Sequence, residues 1–218
     1  MDHIDSYIFP IGKCKITDHM VLGVSLGGHA AWLSLFHEPR VSAGIVVIGC
    51  CDYTSLMYDR ARLSKRSSIL NSTEQNSTFI GSKDFPTGLY QAVLKFDPAS
   101  LLLGDFRRRH ELDAASYPSI SEQERLRPLL LQTLGRKTIL NLAGGSDKLV
   151  PKSASQPTLR FLKTATAAGG WADQAGITLR DLTFPGVGHE VSHEMALEIN
   201  DFITSHLSKI RLGVRFHI

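Results

Sequence analysis

The sequence predicts an α/β fold: a mostly parallel sheet flanked by helices, with a helical segment inserted after the second strand. Three observations carry this reading. Short segments of strand character, one of them (43–50) dense in β-branched residues, recur at 20–25, 43–50, 138–143 and 179–184. Helical periodicity separates or follows them at Gly28 to His37, Gln156 to Ala168 and His193 to Leu207. Residues 52–136 break this alternation with short helix-like pieces between Ser/Asn-rich and Pro-containing turns.

Taken in order, residues 1–19 supply at most a helix and a turn through Pro10 and Gly12. Residues 20–25 (MVLGVS) form a short strand that ends at a Gly-rich turn, and a buried helix follows from Gly28. The run 43–50 (AGIVVIGC) is apolar without alternation, as expected of a parallel strand covered on both faces. Within the insertion, Tyr53 to Lys65 and Ser121 to Leu134 have helical character, and Ser121 with Glu124 has capping-box spacing. The last helix carries Met195, Ile199, Phe202 and Ile203 on one face. The expected organisation is therefore a core of residues 1–51 and 137–218 with a helical lid at 52–136. Strand–helix alternation of this kind builds parallel sheets through crossovers.

Composition restricts the function classes. With 218 residues, 43% hydrophobic and 21% charged, the chain has the profile of one ordinary globular domain. Its net charge of +3 arises from 24 basic and 21 acidic residues spread along the chain, which gives no reason to expect nucleic acid as a partner. The basic run Arg107 to His110 lies between Asp105 and Glu111 and reads as a solvated face. Of three cysteines, Cys14, Cys50 and Cys51, the adjacent pair cannot form a relaxed disulfide, so a reducing, cytoplasmic setting is expected. The acidic start MDHID has no secretory character, and no apolar run is long enough for a membrane span. The sequons at Asn71 and Asn76 then read as chance matches in a polar loop.

Three loops carry chemistry. Gly23-Val24-Ser25-Leu26-Gly27-Gly28 matches G-x-S-x-G between a strand and a helix. A nucleophile on such a strained turn needs small neighbours, which Gly23 and Gly27 provide, and the Leu26 amide at the helix start can donate to an oxyanion. Gly144-Gly145-Ser146-Asp147 leaves the third strand. It puts a carboxylate on the same sheet edge as Ser25, although an Asp there also suits a turn or a helix cap. Gly186-Val187-Gly188-His189 leaves the last strand and places a base on that edge, which favours His189 over His29, His37 and His193. Asp52 competes with Asp147 for the role of acid, and Glu190 and His193 are lesser alternatives for acid and base.

The order Ser25, Asp147, His189 resembles that of the α/β-hydrolase superfamily, with nucleophile, acid and base in turn. The Gly27-Gly28 pair and the loop from Asp147 to Pro151 are similar to those of acyl-peptidases and dienelactone-type hydrolases. The resemblance implies an acyl-enzyme mechanism on a carboxylic ester, thioester, amide or peptide, with no metal or organic cofactor. It also implies strands and a second oxyanion donor ahead of the nucleophile, whereas 24 residues precede Ser25 and contain no HGGG-like or HG-like element. Relative to the family the chain reads as N-terminally truncated. The strand at 20–25 becomes an edge, through which homodimerisation or aggregation is expected. Two functions of different class follow: an esterase-like serine hydrolase acting on a small acyl substrate, and a catalytically impaired module that binds through its exposed edge. For the hydrolase, Leu56, Leu89, Phe96, Leu101 and Leu102 of the lid are expected to favour an apolar substrate portion.

Overall fold

The computed structural model describes residues 3–12, 14–70, 79–106 and 118–211. The basic run at 107–110 and the sequons at Asn71 and Asn76 lie outside the described residues. The chain enters through a short helix, α1 (Ile4–Ile8), followed by β1 (His19–Val24), α2 (Leu26–His37) and β2 (Val41–Val47). Among the described residues four helices follow β2 in turn: α3 (Tyr53–Leu63), α4 (Ser67–Leu70), α5 (Thr87–Phe96) and α6 (Pro98–Leu103). A longer helix, α7 (Ile120–Thr133), leads into β3 (Thr138–Gly144), α8 (Lys152–Thr166), β4 (Thr178–Phe184) and α9 (His193–Arg211).

The four strands form one parallel sheet in the order β1-β2-β3-β4. Parallel strands need helical crossovers, and here these cover one face of the sheet while α9, after the last strand, covers the other. On one face Trp32, Leu35 and Phe36 of α2, Leu126 and Leu130 of α7, and Leu159 and Leu162 of α8 pack against Val46 and Ile139. On the other, Met195 and Phe202 of α9 close over Ile45, Val47, Leu140 and Leu142. Each such side chain taken from water contributes about 1.5–3 kcal/mol, so the two clusters dominate stability. The central strands β2 and β3 are buried nearly end to end, which is why their sequences are mostly apolar on both faces, interrupted by Ser42 in β2 and Asn141 in β3. Among the described residues β1 pairs with β2 alone and is an edge, with Leu22 49% and Val24 40% exposed.

The helices between β2 and β3 make their own small aromatic cluster, with Phe79, Phe85 and Val93 buried beside Tyr53 and Tyr58. Three local expectations are corrected here. The capping box of α7 is Ser119 with Glu122, because two S-x-x-E frames overlap and the earlier one starts the helix directly after Pro118. Leu56 and Leu102 are buried, with Leu102 in the main core and Leu101 packed against it. Phe96 stacks edge-on against His37, at the far end of α2 from Ser25. Leu56, Leu101 and Leu102 therefore build the interior and Phe96 braces α2, while Leu89 on α5 is exposed.

Candidate active site

Ser25 stands between β1 and α2 with φ 56° and ψ −117°, a conformation rare for any residue with a side chain. The turn exists because neighbouring backbones come close. A Cβ on Gly23 would run into the Gly27 carbonyl, and one on Gly28 would lie 2.8 Å from the Gly49 Cα. Gly27 itself faces open space, so the steric demand expected at 27 falls on Gly28 instead. Ser25 N donates to the Val47 carbonyl at 2.9 Å, which ties the turn to the end of β2.

The other two loops are built against each other. Gly145 N donates to the Phe184 carbonyl and Ser146 N to the Val187 carbonyl, both at 2.8 Å. A Cβ on Gly144 would sit 2.6 Å from the Val187 oxygen. Strands about 4.8 Å apart put β4 roughly 14 Å from β1, and the loop after β4 covers that span by folding back over the end of β3. His189 Nε2 thereby reaches Ser25 Oγ at 2.8 Å, and its Nδ1 lies 2.8 Å from Asp147 Oδ2.

The Asp147 side chain is fully covered, while His189 keeps partial exposure. Asp147 Oδ1 accepts from Leu149 N at 2.8 Å and Val150 N at 2.9 Å. One carboxylate thus makes both the local turn that its sequence position favours and a long-range bond to His189. A carboxylate can only accept, so Nδ1 of a neutral His189 carries the proton and Nε2 is the acceptor facing Ser25. Sequence reading did not find the Leu149 and Val150 amides. The signal available was an Asp followed by a short turn before Pro151, the N-cap of α8.

Asp52, His29 and His37 are engaged elsewhere. The Asp52 carboxylate caps α3, accepting from Ser55 N at 2.9 Å and Ser55 Oγ at 2.8 Å. His29 Nδ1 lies 2.8 Å from the Cys50 carbonyl, and burial pushes its imidazole below the ordinary value. His37 Nε2 meets the Phe96 carbonyl. Glu190 is exposed, and His193 opens α9. All three cysteines are free; burial pushes the Cys50 thiol up to about 12 and the Cys51 thiol up as well, so neither is a nucleophile at neutral pH. Leu26, 73% exposed, begins α2, whose first amides have no acceptor within the helix. No helix among the described residues is long and apolar enough to cross a membrane.

No family model matches the chain, and no curated protein matches it. Solved structures do. Arabidopsis thaliana SOBER1 is 15% identical over 94% of this chain and 62% of that one, with a TM-score of 0.44. Esterase PE8 is 13% identical over 94% and 57%, with a TM-score of 0.45. Est1E from Butyrivibrio proteoclasticus is 15% identical over 95% and 68%, with a TM-score of 0.42. The likeness is one of fold alone. This chain spans about 60% of the length of SOBER1 and of esterase PE8.

Proposed function

We propose that the chain is a serine hydrolase that cleaves a carboxylic ester, or a thioester or amide, through a Ser25–His189–Asp147 triad and an acyl-enzyme. The observation that carries this is the unbroken hydrogen-bonded sequence Ser25 Oγ, His189 Nε2, His189 Nδ1, Asp147 Oδ2, with Ser25 on a strained turn. Three parallel strands deliver these groups to one edge of the sheet. In this reading Ser25 Oγ attacks the acyl carbonyl as its proton passes to His189 Nε2, and Asp147 steadies the resulting imidazolium. The oxyanion takes the Leu26 amide at the positive end of α2. His189 then gives the proton to the leaving group, and water, activated by the same imidazole, releases the acid. The experiment is hydrolysis of a short-chain p-nitrophenyl ester by the wild type and by Ser25→Ala. Loss of turnover on the order of 10⁶-fold in the variant supports the reading.

A second reading, a module that associates through an edge, is favoured by β1. Among the described residues its outer side pairs with no other strand, beside the exposed Leu22 and Val24. Light scattering after size exclusion is expected to show self-association of the 218-residue chain that Leu22→Lys disperses. A monomer in both samples overturns this reading and leaves the first untouched.

A further inference from the structure

We infer that Arg60, on the inserted helix α3, is a positioning residue for the triad acid; the inference rests on the serine-hydrolase reading above. Arg60 Nε and Nη2 converge on the Leu149 carbonyl at 3.1 and 2.7 Å. That carbonyl belongs to the same peptide unit as Val150 N, which donates to Asp147 Oδ1. The guanidinium pulls electron density toward the carbonyl oxygen and makes the N–H on the other side of the peptide a stronger donor. Its charge therefore acts on the acid through one amide plane. With Leu149 N on the same oxygen, two amides fix the rotation of the carboxylate and leave Oδ2 aimed at His189 Nδ1.

The apolar side of α3 supports the same contact. Leu56, one turn before Arg60 and on the same helix face, is buried in a cluster with Val150, Cys50 and Ala154. Asp52 secures the start of α3 by capping it. One face of α3 thus grips the acid loop twice, by packing at Val150 and by hydrogen bonds at Leu149. Release of the Arg60 bonds frees the 149–150 peptide to rotate, with Leu149 already exposed to water. A carboxylate held by one amide samples orientations in which His189 is poorly aligned, and misplacements of this size lower turnover more than binding. In this way the segment between β2 and β3 controls the chemistry while lying outside the three loops that perform it.

The test compares Arg60→Ala, Arg60→Lys and Arg62→Ala in the full chain. Arg62 is exposed, sits on the same helix and pairs only weakly with Asp59, so its loss controls for charge. Turnover of p-nitrophenyl acetate is divided by the sites titrated with a fluorophosphonate, which removes any contribution from unfolded protein. Arg60→Ala is expected to lower kcat per site about tenfold with KM held within about twofold, and low-millimolar guanidinium is expected to restore much of it. Arg60→Lys should fall between, because an ammonium reaches the carbonyl with a single bond, and Arg62→Ala should match the wild type. The second readout is the downfield proton resonance of His189 Nδ1–H, expected to broaden or vanish in Arg60→Ala. Unchanged kcat per site in Arg60→Ala, or an unchanged resonance, overturns the inference. A wild-type chain that takes no fluorophosphonate label overturns the hydrolase reading, and the resonance alone then decides whether Arg60 holds Asp147 against His189.

Discussion

Gly144 and Val187 meet backbone to backbone, so closely that a methyl group on Gly144 would lie 2.6 Å from the Val187 carbonyl oxygen. Gly144 closes β3, three residues before Asp147, and Val187 lies two residues before His189. The acid loop and the base loop can therefore converge only if position 144 has no side chain.

Gly144→Ala is accordingly expected to separate the two loops. Overpacking of this kind costs about 1–3 kcal/mol, and here the strain falls between the acid and the base. Urea unfolding should show the destabilisation, and turnover per folded molecule should fall by more than tenfold. Gly27→Ala is the contrasting case, because its Cβ would meet open space. Equal effects of the two substitutions would contradict the packing relationship.

The two acids differ in what they touch, and this predicts opposite phenotypes. Asp147→Asn keeps the shape but presents an amide to His189, favouring the wrong tautomer, with an expected loss of about 10⁴-fold in kcat. Asp52→Ala removes the cap of α3 and is expected to cost about 0.5–2 kcal/mol of stability with a far smaller change in kcat. Steady-state kinetics together with thermal unfolding distinguish them. Similar losses of rate would return Asp52 to the role of acid.

Much of this arrangement was legible in the sequence because it depends on local physics. An apolar run without alternation marked β2, and a serine between small residues after a strand marked the turn that holds Ser25. Asp147 and His189 could be placed because each follows a strand directly, and parallel strands bring their ends to one edge. What lay hidden depends on partners distant in sequence. The near contact of Gly28 with Gly49 could not be read locally, nor could the grip of Arg60 on Leu149. The cap at Ser119 was displaced by two residues because two identical spacings overlap, and only the packing of the whole helix chooses between them. That Leu56, Leu101 and Leu102 are interior was not legible either, because apolar composition alone does not distinguish a substrate wall from a helix interior.

A pH dependence of stability follows from Lys137, which is 4% exposed beneath the last turn of α2 and donates to the Leu35 and Glu38 carbonyls at 2.7 and 2.8 Å. Burial pushes its ammonium down to about 8, against the opposing pull of the Glu38 carboxylate. The neutral amine still has two N–H groups for the two carbonyls. In the unfolded chain the residue returns to about 10.4, so between those values the unfolded state holds a proton that the folded state has released, and stability rises with pH. Below about pH 8 both states are protonated and the cost of burying the charge is fully present. Urea titrations at pH 7 and pH 9.5 should show the wild type gaining on Lys137→Met. Subtracting the variant cancels the opposite trend of the buried thiols, which favour unfolding as pH rises. A difference independent of pH would contradict this assignment.

Covalent capture decides whether Ser25 is an activated nucleophile. Purified chain is treated with a fluorophosphonate, digested, and the modified residue located by mass spectrometry, alongside Ser25→Ala, His189→Ala and Asp147→Asn. A single adduct on Ser25 is expected in the wild type, none in Ser25→Ala, and labelling slowed by orders of magnitude in His189→Ala and Asp147→Asn. A folded wild-type chain that takes no label, or one labelled equally well without His189, would contradict this role for Ser25.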